Sequence, residues 1–275
     1  MRYGLELPGG GPCGHPRMLA EFAELAENAG WDGIFLEDYV VYYSPDGLTY
    51  DPWVSLAAMA MRTERVRLGT AVTALARRRP WQLARQLMTL DHLSGGRMVL
   101  AVGLGDPLDF GRFGEPEDPR VRAEMLDEGL EILAGLWSGE PFCYEGRHYH
   151  LDEVVFLPRP VQSPRIPIWI GGSSQRQGPV ERAARWDGFI PIPNQGKHLT
   201  PDDVRSVTAV IQQRKGELAD FDIAVGGLAR GEDPEGESKL WELANAGVTW
   251  WQEAIYAADH ATMRAAIERG PARIE

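Results

Sequence analysis

Cysteine is scarce in this 275-residue chain: Cys13 and Cys143 stand far apart, with no C-x-x-C spacing. That excludes a disulfide framework and a thiolate metal centre, and it fits a reducing cytosol. Positive charge is also in short supply. Lys and Arg number 28 against 40 Asp and Glu, for a net charge of −12 and a pI near 5.0. Nucleic-acid binding and a polybasic membrane surface both need clustered cations, so neither is expected. No apolar run approaches the ~18 residues of a membrane span. The start, Met1 to Pro8, lacks the apolar stretch of a signal peptide. The expectation is a cytoplasmic protein whose partners are small molecules or another subunit.

Apolar residues make up 44% of the chain, enough for a large core without a metal or disulfide staple. Short β-rich runs alternate with longer helical patterns. Strands are predicted at Tyr3–Leu7, Gly33–Leu36, Val66–Thr73, Met98–Gly103, Ile168–Gly171, Gly188–Ile192, Phe221–Gly226 and Val248–Ala254. Asp51-Pro52, Asp118-Pro119 and Thr200-Pro201 each read as an N-cap followed by proline at the first helical position. Between the fourth and fifth units, residues 139–165 break the rhythm with a hairpin turning near Glu145-Gly146 and then a proline-rich path. Eight strand–helix units close most economically into a (β/α)8 TIM barrel with one insertion, a single domain over residues 1–275. An open doubly wound sheet would carry G-x-G-x-x-G after its first strand, and none occurs there.

In a barrel, the C-terminal strand ends and the loops after them build the active site. Glu37 and Asp38 follow the second strand and are candidate catalytic residues, as proton acceptors or as partners of a polar cofactor ring. The alternative is a cap, or a salt bridge to a nearby loop arginine. Gly171-Gly172-Ser173-Ser174 offers backbone N–H groups, two hydroxyls and a helix start, which suits a phosphate. The alternative is a loop whose glycines only turn the chain. Arg77-Arg78-Arg79 could hold an anionic substrate or phosphate; the alternative is a solvated helix-entry face or intersubunit ion pairs. Trp250-Trp251-Gln252-Glu253 places either Gln252 or Glu253 inward, and Glu253 is the candidate to serve the mouth. His148 and His150 lack ligand-spaced partners, so no metal is expected. There is no nucleophile elbow, H-E-x-x-H or Walker loop.

Several runs together resemble the bacterial-luciferase-like superfamily of flavin- and deazaflavin-dependent oxidoreductases. They are Arg67 to Thr73, Arg79 to Gln86, Leu90 to Gly105, Leu136 to Gly139, Phe156 to Gln162 and Ile166 to Gly172, in order across the chain. The resemblance implies a barrel that binds FMN or coenzyme F420 at its C-terminal mouth, with the phosphate by the loop after the fifth strand. It implies a non-proline cis peptide at Ala71–Val72, with Ala71, Val72 and Thr73 supporting the ring, and an arginine near the phosphate, here Arg112. Where relatives commonly have His after the second-strand acid, this chain has Glu37-Asp38-Tyr39. The implied function is hydride transfer with F420, or oxygen activation with FMN, on a small organic substrate, with a flavin or F420 reductase as a possible partner. A catalytically degenerate flavin-binding or subunit-partner protein is the alternative. Leu108–Glu117 and Asn194–Leu199 are the expected lids. A homodimer is expected through helices bearing Trp53, Met59, Met61 and Trp81.

Overall fold

The structure is a computed structural model that describes residues 1–41, 47–193, 198–228 and 236–274. Its first half runs β1 (Arg2–Leu7), α1 (Pro16–Asn28), β2 (Gly33–Leu36), α2 (Pro52–Ala60), β3 (Arg67–Thr70), β4 (Thr73–Ala74), α3 (Pro80–Ser94), β5 (Met98–Gly103), α4 (Pro107–Gly111) and α5 (Pro119–Trp137). The hairpin β6 (Phe142–Glu145) and β7 (His150–Val154) follows. The chain then continues through β8 (Ile168–Ser173), α6 (Gln177–Ala183), β9 (Gly188–Ile192), α7 (Pro201–Lys215), β10 (Asp222–Leu228), α8 (Gly236–Asn245), β11 (Trp250–Ala254) and α9 (His260–Glu268).

Parallel pairing runs β3-β2-β1-β11-β10-β9-β8-β5-β4, and a β3–β5 pairing closes the ring. The fold is a (β/α)8 TIM barrel, with β3 and β4 sharing one stave and the β6–β7 hairpin as the insertion. Closure removes both sheet edges. The expected caps are in place: Asp51 accepts from the Val54 N–H, Asp118 from Arg120, and Thr200 from Asp203 in a capping box.

Alternation along the staves puts large aliphatic side chains outward under the helices and reserves the axis for few, bulky groups. Phe35 stacks on Trp169 at 5.4 Å between centroids, and Trp250 meets Phe35 at 5.7 Å and Trp169 at 5.5 Å. All three are 0–1% exposed, so the barrel is plugged beneath its mouth. Glycine on neighbouring staves makes the room. A Cβ on Gly33 would lie 2.9 Å from the Trp250 ring, and one on Gly188 would lie 2.3 Å from Trp169 Cδ1.

The predicted unbroken third strand is divided. β3 stops at Thr70, a cis peptide joins Ala71 to Val72, and β4 resumes at Thr73. The hairpin reverses tightly over residues 146–149, beside the expected Glu145-Gly146: the Gly146 N–H donates to Tyr149 O at 2.9 Å, and Glu128 on α5 accepts the N–H groups of Arg147, His148 and Tyr149. The eighth stave begins at Trp250 rather than Val248, and α6 opens at Gln177 rather than Pro179.

Gly188→Ala is expected to push a methyl into Trp169 and lower stability by about 1–3 kcal/mol, the usual cost of overpacking. Urea denaturation checks this; an unchanged midpoint would show that the plug has slack.

Candidate active site

The C-terminal ends of the staves enclose a cavity of about 190 Å³, lined among others by Glu6, Ala71, Val72, Ile192, Gly226 and Gln252. Its floor lies toward the aromatic plug. The cis Ala71–Val72 unit forms one wall. Val72 fits there because Gly103 and Gly171 carry no side chain: a Cβ on either would lie 2.8–2.9 Å from a Val72 methyl. Gly172 is needed for a different contact, since its Cβ would lie 2.5 Å from Pro179 on α6. Both glycines of the 171–174 run therefore have steric reasons that are independent of any ligand.

Thr70 and Thr73 flank the bulge, and their hydroxyls lie 2.9 Å apart. Thr73 donates to Asp38 Oδ2 at 2.8 Å, and Arg78 donates to both Asp38 oxygens at 2.6 and 2.9 Å. The Asp38 side chain is only 3% exposed. Asp38 thus makes the salt bridge to a loop arginine that the sequence left open, and it ties the loop after β2 to the bulge. Arg77, next in line, is buried between Asp109 and Glu115 and lies over the Phe110 ring at 4.6 Å. It fastens α4 and the segment after it to the mouth. Arg77 and Arg78 are loop staples.

Glu37 continues the inward alternation of Gly33 and Phe35, is 8% exposed, and accepts from the Tyr256 hydroxyl at 3.0 Å. Beside it, Glu6 at the end of β1 was missed by the sequence reading. Burial, followed by the charge of Glu37, pushes its carboxyl from an ordinary 4.5 up to about 7. Gln252 is 1% exposed, and its Nε2 has no hydrogen-bond partner among the described residues. Alternation sends Gln252 inward with Trp250, whereas Glu253 shares the outer face with Trp251. The expected role of Glu253 at the mouth is therefore corrected in favour of Gln252. The usable signal was Glu6 itself, a lone acid between Leu5 and Leu7 on a strand that enters the core.

The loop after β8 borders a second cavity of about 260 Å³, lined by Ser174, Gln175, Arg176 and Gln177 and by Ser206, Val207 and Val210 of α7. Ser174 Oγ is buried without a partner among the described residues, and its N–H donates to Ile192 O, so this cavity abuts the mouth at the β8–β9 end. Ser173 Oγ accepts from the Gln175 N–H. Arg112 caps α4 on the exposed side of the mouth. Of the expected lids, Leu108–Glu117 comprises most of α4 and the irregular segment after it, and the Asn194–Leu199 segment falls largely outside the described residues. Leu108, Phe113, Ile192 and Tyr256 give the rim an apolar, exposed character. Among the described residues no cluster could hold a metal ion, and no helix is long and apolar enough to cross a membrane.

The family model described as luciferase-like monooxygenase matches residues 4–272. The chain belongs to this family. It is similar to an F420-dependent glucose-6-phosphate dehydrogenase of Microbacterium testaceum, 38% identical over 164 residues that cover 58% of the chain and 47% of the relative. A protein of that name from Nakamurella multipartita is 35% identical over 196 residues, covering 68% and 55%. The chain spans about half the length of these curated relatives. Among solved structures, it matches an F420-dependent secondary alcohol dehydrogenase at TM-score 0.80 and 16% identity, covering 97% of each chain. It also matches the coenzyme F420 dependent tetrahydromethanopterin reductase of Methanopyrus kandleri at TM-score 0.76 and 19% identity, covering 98% and 96%. At these identities the structural matches establish the fold.

Two predictions follow from the polar groups of the mouth. Asp38→Ala should destabilise the protein by about 3 kcal/mol, because a largely buried arginine loses its carboxylate. A double-mutant cycle with Arg78→Ala should then return a coupling of about 1–3 kcal/mol in urea denaturation. Glu6 holds its proton more tightly folded than unfolded, so its contribution to stability is full below about pH 4.5 and is lost as pH rises through about 7. Glu6→Gln should therefore gain stability relative to wild type between pH 5 and pH 8; parallel curves for the two proteins would contradict the raised pKa.

Proposed function

We propose that this protein is an F420-dependent oxidoreductase of the luciferase-like family, acting on a small organic substrate. The observation that carries the reading is the pairing of the mouth cavity, walled by the Ala71–Val72 bulge, with the adjoining cavity at Ser174. A planar ring with a phosphorylated tail needs such a pair. The fit is supported by the orphaned Ser174 hydroxyl, which lacks a partner that a phosphate oxygen would supply. Gly171, Gly172, Ser173 and Ser174 would hold the tail with Arg176, and Ala71, Val72 and Thr73 would support the ring. Arg112 stands at the edge of the mouth for the remaining charge. When bound, the deazaflavin supplies the site that gives or takes a hydride. The names of the curated relatives favour F420. FMN is the second candidate, consistent with a family described by its monooxygenases.

The chain's own residues do the rest. The aromatic plug closes the barrel below the ring and keeps water from entering along the axis. Glu37, held by Tyr256, is the one of the two expected catalytic acids that faces the mouth. Asp38 positions the bulge through Thr73. The reading of a degenerate binding protein draws on the engagement of Asp38 with Arg78, which removes one acid from chemistry. A cytoplasmic homodimer supplied by a cellular F420 reductase completes the proposal. Trp53 and Met59 are core residues, so Val54 and Met61, 66% and 68% exposed on and just after α2, are the apolar groups left for a dimer contact.

Titration of the purified protein with F420 and with FMN tests the reading, and F420 is expected to bind at micromolar concentration or better. Arg176→Ala together with Ser174→Val should weaken binding by about 10–100-fold, since charge-assisted hydrogen bonds contribute about 1.5–3 kcal/mol each. Binding of neither cofactor would remove the proposal, and binding without exchange of hydride with any small alcohol or carbonyl would leave the degenerate protein.

A further inference from the structure

We propose that the end of the barrel opposite the mouth holds a binding site for a phosphate group, free or carried on a small ligand, and that Arg2 and Arg67 build it. The site is separate from the cofactor cavities and independent of which cofactor the mouth takes. Three observations carry it.

The first is alternation at the strand starts. Gly4 and Gly69 face the axis, since an added Cβ on either would lie 2.9–3.2 Å from the Phe35 ring, and Ala224 packs with the aromatic plug. Two residues earlier on β1, β3 and β10 stand Arg2, Arg67 and Asp222, so a period of two turns all three toward the axis below the plug. They line a cavity of about 370 Å³ at the N-terminal strand ends, together with Arg165, Phe221 and Thr249. This cavity reaches the underside of the plug, because the Arg2 guanidinium lies over the Trp250 ring at 5.1 Å.

The second is the pairing of the charges. Arg165 is bound to Asp187, which also accepts from the Ile168 N–H, so that pair is complete. Asp222 accepts from the Thr249 hydroxyl at 2.8 Å and lies 3.8 Å from Arg2, whose side chain is 54% exposed. Among the described residues Arg67 pairs with no carboxylate: its Nη1 donates to Gln162 Oε1 at 2.8 Å and to Gly96 O at 3.4 Å. Gln162 is fixed in turn by Asp91, to which its Nε2 donates at 2.8 Å. The other guanidinium N–H groups of Arg67 make no hydrogen bond among the described residues. Neutral acceptors thus hold Arg67 in place and leave donors to spare, the arrangement that recognises an oxyanion.

The third is repulsion. Burial, and then the charge of Arg2, pull the Arg67 guanidinium below its ordinary value. Two cations face one carboxylate in this layer, and burial pushes the Asp222 carboxyl up, toward its uncharged form. An oxyanion set between the arginines relieves their repulsion and takes the N–H groups left over. Phosphate suits the place better than a carboxylate, because its oxygens can serve two guanidinium groups at once. Pro164, Pro167 and Phe221 add apolar walls that can face the body of a phosphate monoester.

The test is calorimetric titration of the full chain with inorganic phosphate and with phenyl phosphate, at low ionic strength and without sulfate. Wild type is expected to bind at millimolar concentration or below, and so is the Arg176→Ala, Ser174→Val variant of the cofactor cavity. Arg67→Gln and Arg2→Gln should each weaken binding by about tenfold or more. Arg2 is exposed at the start of β1, so Arg2→Gln carries the test even if Arg67→Gln unfolds. Asp222→Asn keeps an acceptor for Thr249 and removes the repelling carboxylate; it should tighten binding by about threefold, a gain that a purely structural role would not give. A preference for phenyl phosphate assigns the group to an organic monoester, and equal affinity assigns it to the free ion; either result supports the site. Absence of binding with both probes would overturn the proposal, as would binding that survives both arginine variants. Loss of binding in the Arg176→Ala, Ser174→Val variant, with Arg2→Gln and Arg67→Gln unaffected, would place the phosphate by Ser174 and overturn it too.

Discussion

The architecture depends on a steric exchange at the barrel axis, in which three aromatic rings take the space that neighbouring glycines give up. Phe35, Trp169 and Trp250 belong to three different staves, yet they touch one another. That is possible only because Gly33, Gly69 and Gly188 present bare backbone to them. Protein interiors are close-packed, so filling the axis with rings fixes the spacing of the staves as well as excluding water. Above this plug, the inward side chains of Glu6 and Gln252 stand at the C-terminal strand ends. The mouth is polar because the layer beneath it leaves no room for a polar side chain.

At that level the loops are joined by charge. Arg78 links the loop after β2 to the end of the bulged stave, and Arg77 links that stave to α4. Each arginine is largely buried and each has its carboxylate, the arrangement in which a pair can repay its desolvation. Three mouth segments distant in sequence are thereby held as one body. Thr70 and Thr73 carry the same logic down to a hydroxyl pair across the bulge. The mouth is thus held rigid by staples at its edge as well as by the plug below.

Much of this was legible in the residues. Asp-Pro and Thr-Pro steps announced helix starts because an N-cap acceptor and a pre-set proline φ act locally, and local physics survives folding. The barrel followed from the alternation of strands and helices, and the bulge from resemblance to relatives. The Gly171–Ser174 run was read as a phosphate loop, and its glycines answer sterically to Val72 and Pro179 as well. What escaped notice depended on partners far away in sequence. Glu6 looked like one acid in an ordinary strand until β2 set Glu37 beside it. The inward choice between Gln252 and Glu253 turned on a one-residue register that alternation alone leaves undecided. Arg77 and Arg78 were left between an anion site and ion pairs because their carboxylates lie 32 to 40 residues away.

The charge balance of the mouth follows from these pairings. The two consecutive arginines neutralise Asp38 and share Asp109 and Glu115, so their positive charge is turned toward the loops rather than toward the cavity. Glu6 and Glu37 are left facing each other across the ends of β1 and β2, with Tyr256 donating to one of them. Two carboxylates so placed in a low-dielectric wall cannot both remain ionised at little cost, and retaining a proton on Glu6 is the relief available to them. An anion brought into the cavity would raise that cost again. The acidity of the chain as a whole thus has a local counterpart at the one place where chemistry is expected.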